Sequence, residues 1–188
     1  MSRSLQQYLE SARERWRAEP RCAAALARAT PAVQRSLDQV LAGSDFAVDS
    51  CIRDPSLLEW LVGEGALEQR QTPAELVARL SEQLAVDANP GAASDAALDM
   101  QLLRRTRRRE MLKIAWRDLA GWAALDETLG SLSTLADNLI AAAVRLARAS
   151  LLPVYGVPRD ADANEQSLII LGMGKLGGGE LNFSSDVD

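Results

Sequence analysis

Between residues 4 and 16 the apolar side chains Leu5, Tyr8, Leu9, Ala12 and Trp16 return every three or four positions, which lines them along one side of a helix with Ser4 placed to cap it. The same period resumes after Pro31 with Val33, Leu37, Val40 and Leu41 and stops at Gly43. Two shorter segments follow. Phe46, Val48, Cys51 and Ile52 form one behind Ser44 and Asp45, and Leu57, Leu58, Trp60, Leu61 and Val62 form the other between Pro55 and Gly63. Thr72, Pro73 and Glu75 then combine a capping hydroxyl, a proline at the first helical position and a carboxylate that reaches back to the cap. Leu76, Leu80 and Leu84 are the buried stripe that this start predicts, and residues 86–94 are expected to form a loop.

Residues 95–122 hold no Pro or Gly before Gly121 and are rich in strong helix formers, so one long helix is expected, with Leu112, Ala115, Trp116, Leu119 and Trp122 on its inner face. A break is expected across residues 126–131. A second long helix follows over 132–152, with Leu132, Leu135, Leu139, Ala142 and Leu146 spaced alternately three and four apart. Pro153, Gly156, Pro158 and the polar stretch to Gln166 mark a linker at 153–166. Beyond it, Ser167, Leu168, Ile169, Ile170 and Leu171 form a short apolar run that ends at a glycine, the pattern of a buried strand. The fold class is therefore mainly α. A helical region over 1–152 leads into the first strand-turn-strand of an α/β domain at 167–188.

Composition agrees with a packed helical interior. Of the 188 residues 47% are apolar but only 4% aromatic, and Ala and Leu dominate, as in bundles of packed helices. A net charge of −5 argues against a nucleic-acid binder, which needs surplus cations. Histidine is absent, which removes Ser-His-Asp and Cys-His pairs and leaves carboxylates to do any acid–base work. Cys22 and Cys51 lack zinc-type spacing and read as buried thiols. No apolar run approaches the roughly 20 residues that span a bilayer, so a cytoplasmic protein without a membrane segment is expected.

The chemistry concentrates in GMGKLGGGELNFSSDVD, residues 172–188. Gly172, Gly174 and Gly177 fit the spacing of a dinucleotide-binding turn, but its helix would have to run on through Gly178 and Gly179, each costing about 1 kcal/mol relative to Ala. A Walker loop requires Ser or Thr after Gly174-Lys175, where Leu176 stands. The third reading takes the glycines as a turn that approaches phosphates. Asp186 and Asp188, two apart on a following strand, would then share one face and hold magnesium. A glycine cluster and an Asp-x-Asp pair are each common as plain surface features. Their order and closeness behind a strand favour the third reading.

The whole string resembles the signature of the glutamine synthetase adenylyltransferase/adenylyl-removing enzymes, members of the nucleotidyltransferase superfamily. SDFAVDSCIRDPSLLEWL and LRRTRRREMLKIAWRDLAG resemble the helical region of the same family, so the likeness runs from about residue 44 onward. Such enzymes carry two catalytic domains, and NFSSDVD behind a helical region of this length resembles the first, adenylyl-removing copy. That resemblance implies phosphorolysis of the adenylyl-tyrosine on glutamine synthetase to ADP and free tyrosine, while the second copy attaches AMP from ATP. It also implies magnesium held by Asp186 and Asp188 as catalytic residues, nucleotide contact by Gly177 and Gly178, a hydrogen bond to phosphate from Ser185, and a PII-type signalling protein as regulator. Gly179 stands where the family pattern expects a larger residue, which would loosen the turn. With later carboxylates of that domain absent from these 188 residues, no turnover is expected from them alone. The reading from another class is a non-catalytic helical module that docks glutamine synthetase or a PII-type protein.

Arg104, Arg105, Arg107, Arg108, Arg109 and Lys113 form a basic run with two readings: a solvated helix face pairing with Glu110, or a surface that steers phosphate or an acidic partner. Trp60, Trp116 and Trp122 read as packing residues.

Overall fold

The computed structural model describes residues 3–84 and 96–185. The expected loop at 86–94 lies outside them. Nine helices occur among the described residues and no strand, so the chain is mainly α. They fall into two compact units, one drawn from the described parts of Met1–Gln71 and Arg108–Thr128, the other from those of Thr72–Arg107 and Leu129–Asp188.

The first unit contains α1 (Arg3–Arg17), α2 (Pro20–Ala27), α3 (Pro31–Gly43), α4 (Asp45–Arg53), α5 (Pro55–Gly63) and the second half of α7 (Ala96–Leu119). Prolines open α2, α3 and α5, where their missing N–H costs no helical bond. Thr30, Ser44 and Asp54 cap α3, α4 and α5 with side-chain oxygens. The core is aliphatic, as composition requires: Leu41, Leu57, Leu58, Leu61 and Leu112 are buried around Trp16 and Trp116. Those two indoles meet edge to face, centroids 6.3 Å apart, and Trp116 Nε1 donates to Ser36 Oγ at 2.9 Å. Cys22 and Cys51 are free and buried, with the Cys22 thiol donating to the Cys51 carbonyl at 3.2 Å.

Arg117 is the polar centre of this unit. Its Nη1 donates to the Leu67 carbonyl at 2.7 Å, and its Nη2 to Glu127 Oε1 at 2.9 Å, with a longer contact to the Trp122 carbonyl. Both side chains are largely withdrawn from solvent, Arg117 at 5% exposure and Glu127 at 12%. The loop after α5 and the turn after α7 are thus held by one guanidinium.

The second unit holds α6 (Pro73–Gln83), the first half of α7, most of α8 (Leu125–Tyr155) and the short α9 (Gly174–Gly177). α6 begins as expected. Thr72 Oγ1 accepts from the Glu75 N–H while Glu75 Oε2 accepts from the Thr72 N–H, and Leu76, Leu80 and Leu84 are buried. α8 is longer at both ends than its pattern suggests. No break occurs at 126–131, because Asp126 and Glu127 sit favourably in the first turn and one glycine, Gly130, is tolerated in a helix of 31 residues. Its last turn continues past Pro153 to Tyr155.

Residues 157–166 form a tight loop organised by Asp160. Its carboxylate accepts from the N–H groups of Asp162 and Asn164 and from the Asn164 and Gln166 amides, which holds it below the usual carboxylate range. Arg148 on α8 pairs with Glu165 of this loop. The run 167–171, expected as a strand, joins no ladder among the described residues and is exposed, Leu168 at 73% and Ile169 and Leu171 at 79%. A strand needs neighbouring N–H and C=O groups, and none of the described residues supplies them here.

No described helix is long and apolar enough to cross a membrane.

Candidate functional site

The glycine-rich segment folds into one helical turn closed by a Schellman motif. Glu180 N–H donates to the Lys175 carbonyl at 2.7 Å and Gly179 N–H to the Leu176 carbonyl at 3.1 Å, with Gly179 at φ +70°. This corrects the expectation that a small residue at 179 would loosen the turn. A left-handed backbone at that position favours glycine, and glycine there is what allows the two closing bonds.

Gly177 serves a different purpose. A Cβ at this position would lie 2.4 Å from the Gly172 carbonyl oxygen and 3.0 Å from its carbon, so the chain returns on itself with no room for a side chain. The N–H groups of Gly177 and Gly178 are engaged inside the turn, donating to the Met173 and Gly174 carbonyls. In this conformation the two N–H groups are thus not available to a ligand.

Beyond the turn, Leu181 is buried and its N–H donates to Ser133 Oγ on α8 at 3.2 Å, while that hydroxyl donates to the Leu129 carbonyl. Asn182 then gathers the next residues. Its Oδ1 accepts from Ser184 N–H at 3.2 Å, Ser184 Oγ at 3.0 Å and Ser185 Oγ at 2.8 Å. The Ser185 hydroxyl proton is therefore held by Asn182 in this conformation, and a bond from Ser185 to phosphate requires the hydroxyl to rotate away. Asp186 and Asp188 lie outside the described residues.

The turn faces a cleft of about 880 Å³. Ile140, Val144, Leu171 and Leu181 contribute apolar walls, and Asp137, Arg145, Lys175 and Ser185 are its polar lining. α8 supplies one wall. Apolar walls with a few convergent polar groups are the usual constitution of a small-ligand site.

Two residues of this site were not picked out from the sequence. Asn182 was signalled by Asn-Phe-Ser-Ser, a pattern that favours an Asx turn, and Ser133 by a polar residue sitting beside the apolar stripe of α8.

The basic run divides into two groups. Arg104, Arg105, Arg107 and Arg108 are exposed, and no acid among the described residues pairs with them. Arg109 instead lies over the Trp60 ring at 3.6 Å and beside buried Glu110 at 3.9 Å, and Lys113 is buried with Nζ donating to Gln71. Pairing with Glu110 thus involves Arg109. Replacing Arg104, Arg105 and Arg107 together by alanine is expected to shift unfolding stability by less than about 0.5 kcal/mol. Arg109→Ala is expected to cost about 1–2 kcal/mol in urea unfolding through its lost cation–π contact. Equal effects would remove this division.

Comparison with known proteins identifies the family of the chain. Residues 34–188 match the family described as glutamate-ammonia ligase adenylyltransferase. The bifunctional glutamine synthetase adenylyltransferase/adenylyl-removing enzyme of Thioalkalivibrio sulfidiphilus is 48% identical over 153 residues, covering 81% of this chain and 15% of that protein. Its counterpart in Shewanella oneidensis is 42% identical over 164 residues, covering 87% and 16%, and that in Pseudomonas aeruginosa 39% over 173 residues, covering 88% and 17%. The chain therefore spans about one sixth of the length of these relatives. With more than four fifths of its residues matched and the glycine turn included, this chain belongs to the glutamate-ammonia ligase adenylyltransferase family.

Proposed function

We propose that the protein containing this chain removes adenylyl groups from glutamine synthetase, and that residues 167–188 begin the domain that does so. The observation that carries the reading is the closed glycine turn, with Gly177 packed on the Gly172 carbonyl, which leads through the Asn182 bracket directly into Asp186-Val187-Asp188. Family membership and the names of the relatives support it.

In this reading a phosphate oxygen attacks the adenylyl phosphorus, a new P–O bond forms, and the bond to the tyrosine oxygen breaks. The products are ADP and the tyrosine phenol, which takes up a proton. Asp186 and Asp188 offer hard carboxylate oxygens of the type magnesium prefers, and would hold it. The bound ion would neutralise phosphate charge. Gly177 and Gly178 let the ligand approach the turn, and Ser185 donates to phosphate after leaving Asn182. ATP serves the opposite, adenylylating activity, a PII-type protein regulates the whole, and the protein works in the cytoplasm. The four exposed arginines of α7, Arg104, Arg105, Arg107 and Arg108, favour a second reading, in which this helical region docks glutamine synthetase or a PII-type protein without catalysing anything.

The full-length protein, given adenylylated glutamine synthetase, inorganic phosphate and magnesium, is expected to release ADP, and Asp186→Asn to stop release with the fold intact. The 188-residue chain alone is expected to release none. Undiminished ADP release by Asp186→Asn would overturn the catalytic reading, and binding of the partner protein without magnesium-dependent nucleotide binding would favour the docking module.

A further inference from the structure

Among the cations of the second unit, Arg145 shares the cleft lining with Lys175, and the Asp137 carboxylate lines it as well. Arg145 is exposed on α8 and lines the cleft in front of the glycine turn. No acid among the described residues pairs with it, whereas Arg148, three residues further along the same helix, pairs with Glu165. Ile140, Val144 and Leu171 line the same cleft, so the guanidinium borders apolar surface on which a ligand would rest. A planar guanidinium also matches two phosphoryl oxygens at once.

We propose that Arg145, reaching the cleft from α8 rather than from the glycine motif, binds the phosphoryl oxygens of the ligand held there. The inference rests on the phosphorolysis reading and adds to it an anion-binding residue from the helical region. The shared chemistry is a phosphate dianion, which two sources supply: the attacking inorganic phosphate and the phosphates of the nucleotide product.

The test uses the full-length protein with Arg145→Ala, Arg145→Lys and, as control, Arg148→Ala. Deadenylylation is followed at varied inorganic phosphate, and ADP binding is measured separately by calorimetry. Loss of a charged hydrogen bond raises KM for phosphate by about tenfold or more, with kcat less affected, if Arg145 holds the attacking phosphate. It weakens ADP by a similar factor if Arg145 holds the nucleotide. Arg145→Lys recovers part of either loss, and Arg148→Ala produces neither. Should the alanine variant lose its cooperative melting, Arg145→Gln answers the same question. Phosphate KM and ADP affinity both within twofold of the parent, or equal losses in Arg148→Ala, would overturn the proposal. If the parent protein performs no phosphorolysis but Arg145→Ala still weakens ADP, the proposal stands and the functional reading falls. If phosphorolysis is normal and Arg145→Ala changes nothing, the reverse holds.

Discussion

In the proposed phosphorolysis, Gly177→Ala is expected to lower ADP release by the full-length protein at least about 100-fold, the scale of loss when reacting groups move by an ångström. The added Cβ would sit 2.4 Å from the Gly172 carbonyl oxygen and 3.0 Å from its carbon. Both are backbone atoms, so no rotamer change relieves the clash and the turn itself must open. Opening displaces everything hung on it: the Schellman closure at Gly179, the Leu181 anchor to Ser133 and the Asn182 bracket that precedes the aspartates. The neighbouring position provides the contrast. Gly178 has φ −83° and a methyl there would meet nothing nearer than the Gly174 oxygen at 3.4 Å, so Gly178→Ala is expected to leave the turn closed, to act only through the approach of the nucleotide, and to cost less than Gly177→Ala. Deadenylylation rates of the two variants, measured side by side, check the claim, and equal losses would show that steric closure is not what these glycines provide.

Arg117→Ala is expected to destabilise the first unit by about 3–5 kcal/mol, the range for breaking one side of a buried ion pair. Removing the guanidinium leaves Glu127 short of its best-placed cation and strips the buried donor from the Leu67 carbonyl. Arg70 also reaches Glu127, at 3.3 Å, but its side chain is 78% exposed and replaces little of the loss. Adding Glu127→Gln should return part of the stability by removing the uncompensated charge, whereas simple loss of side-chain volume predicts no recovery. Trp16, Trp60, Trp116 and Trp122, the four tryptophans of the chain, all lie in this unit, so urea unfolding followed by their fluorescence reports on it directly. A cost under about 1 kcal/mol would assign Arg117 to the class of ordinary surface cations.

Helix starts are the most legible part of the chain, because prolines and short polar caps act locally. Pro31, Pro55 and the Thr72-Glu75 box open helices where their chemistry demands. α2 is hidden in the sequence, since its Cys- and Ala-rich segment offers too few large apolar residues to display a period. The ends of α8 depart from expectation because Gly130 and Pro153 each carry a penalty that a long packed helix absorbs. Leu132, Leu135, Ala142 and Leu146 are buried along it as their spacing requires. At the site, the glycine motif and the residues after it are visible in the string, but the separate tasks of Gly177 and Gly179 are not. A close approach and a positive φ are properties of the folded backbone, and both ask only for glycine. Arg117 and Arg145 are hidden for another reason: a charged residue on a helix looks solvated until its surroundings are known.

The sealed positions of Cys22 and Cys51 make the first unit its own chemical clock. Both thiols are fully covered, and burial pushes Cys22 up to about 11 and Cys51 further in the same direction, so neither offers a thiolate near neutrality. An alkylating reagent must therefore wait for the surrounding helices to part, and the speed at which it consumes the two sulfurs counts those openings one by one.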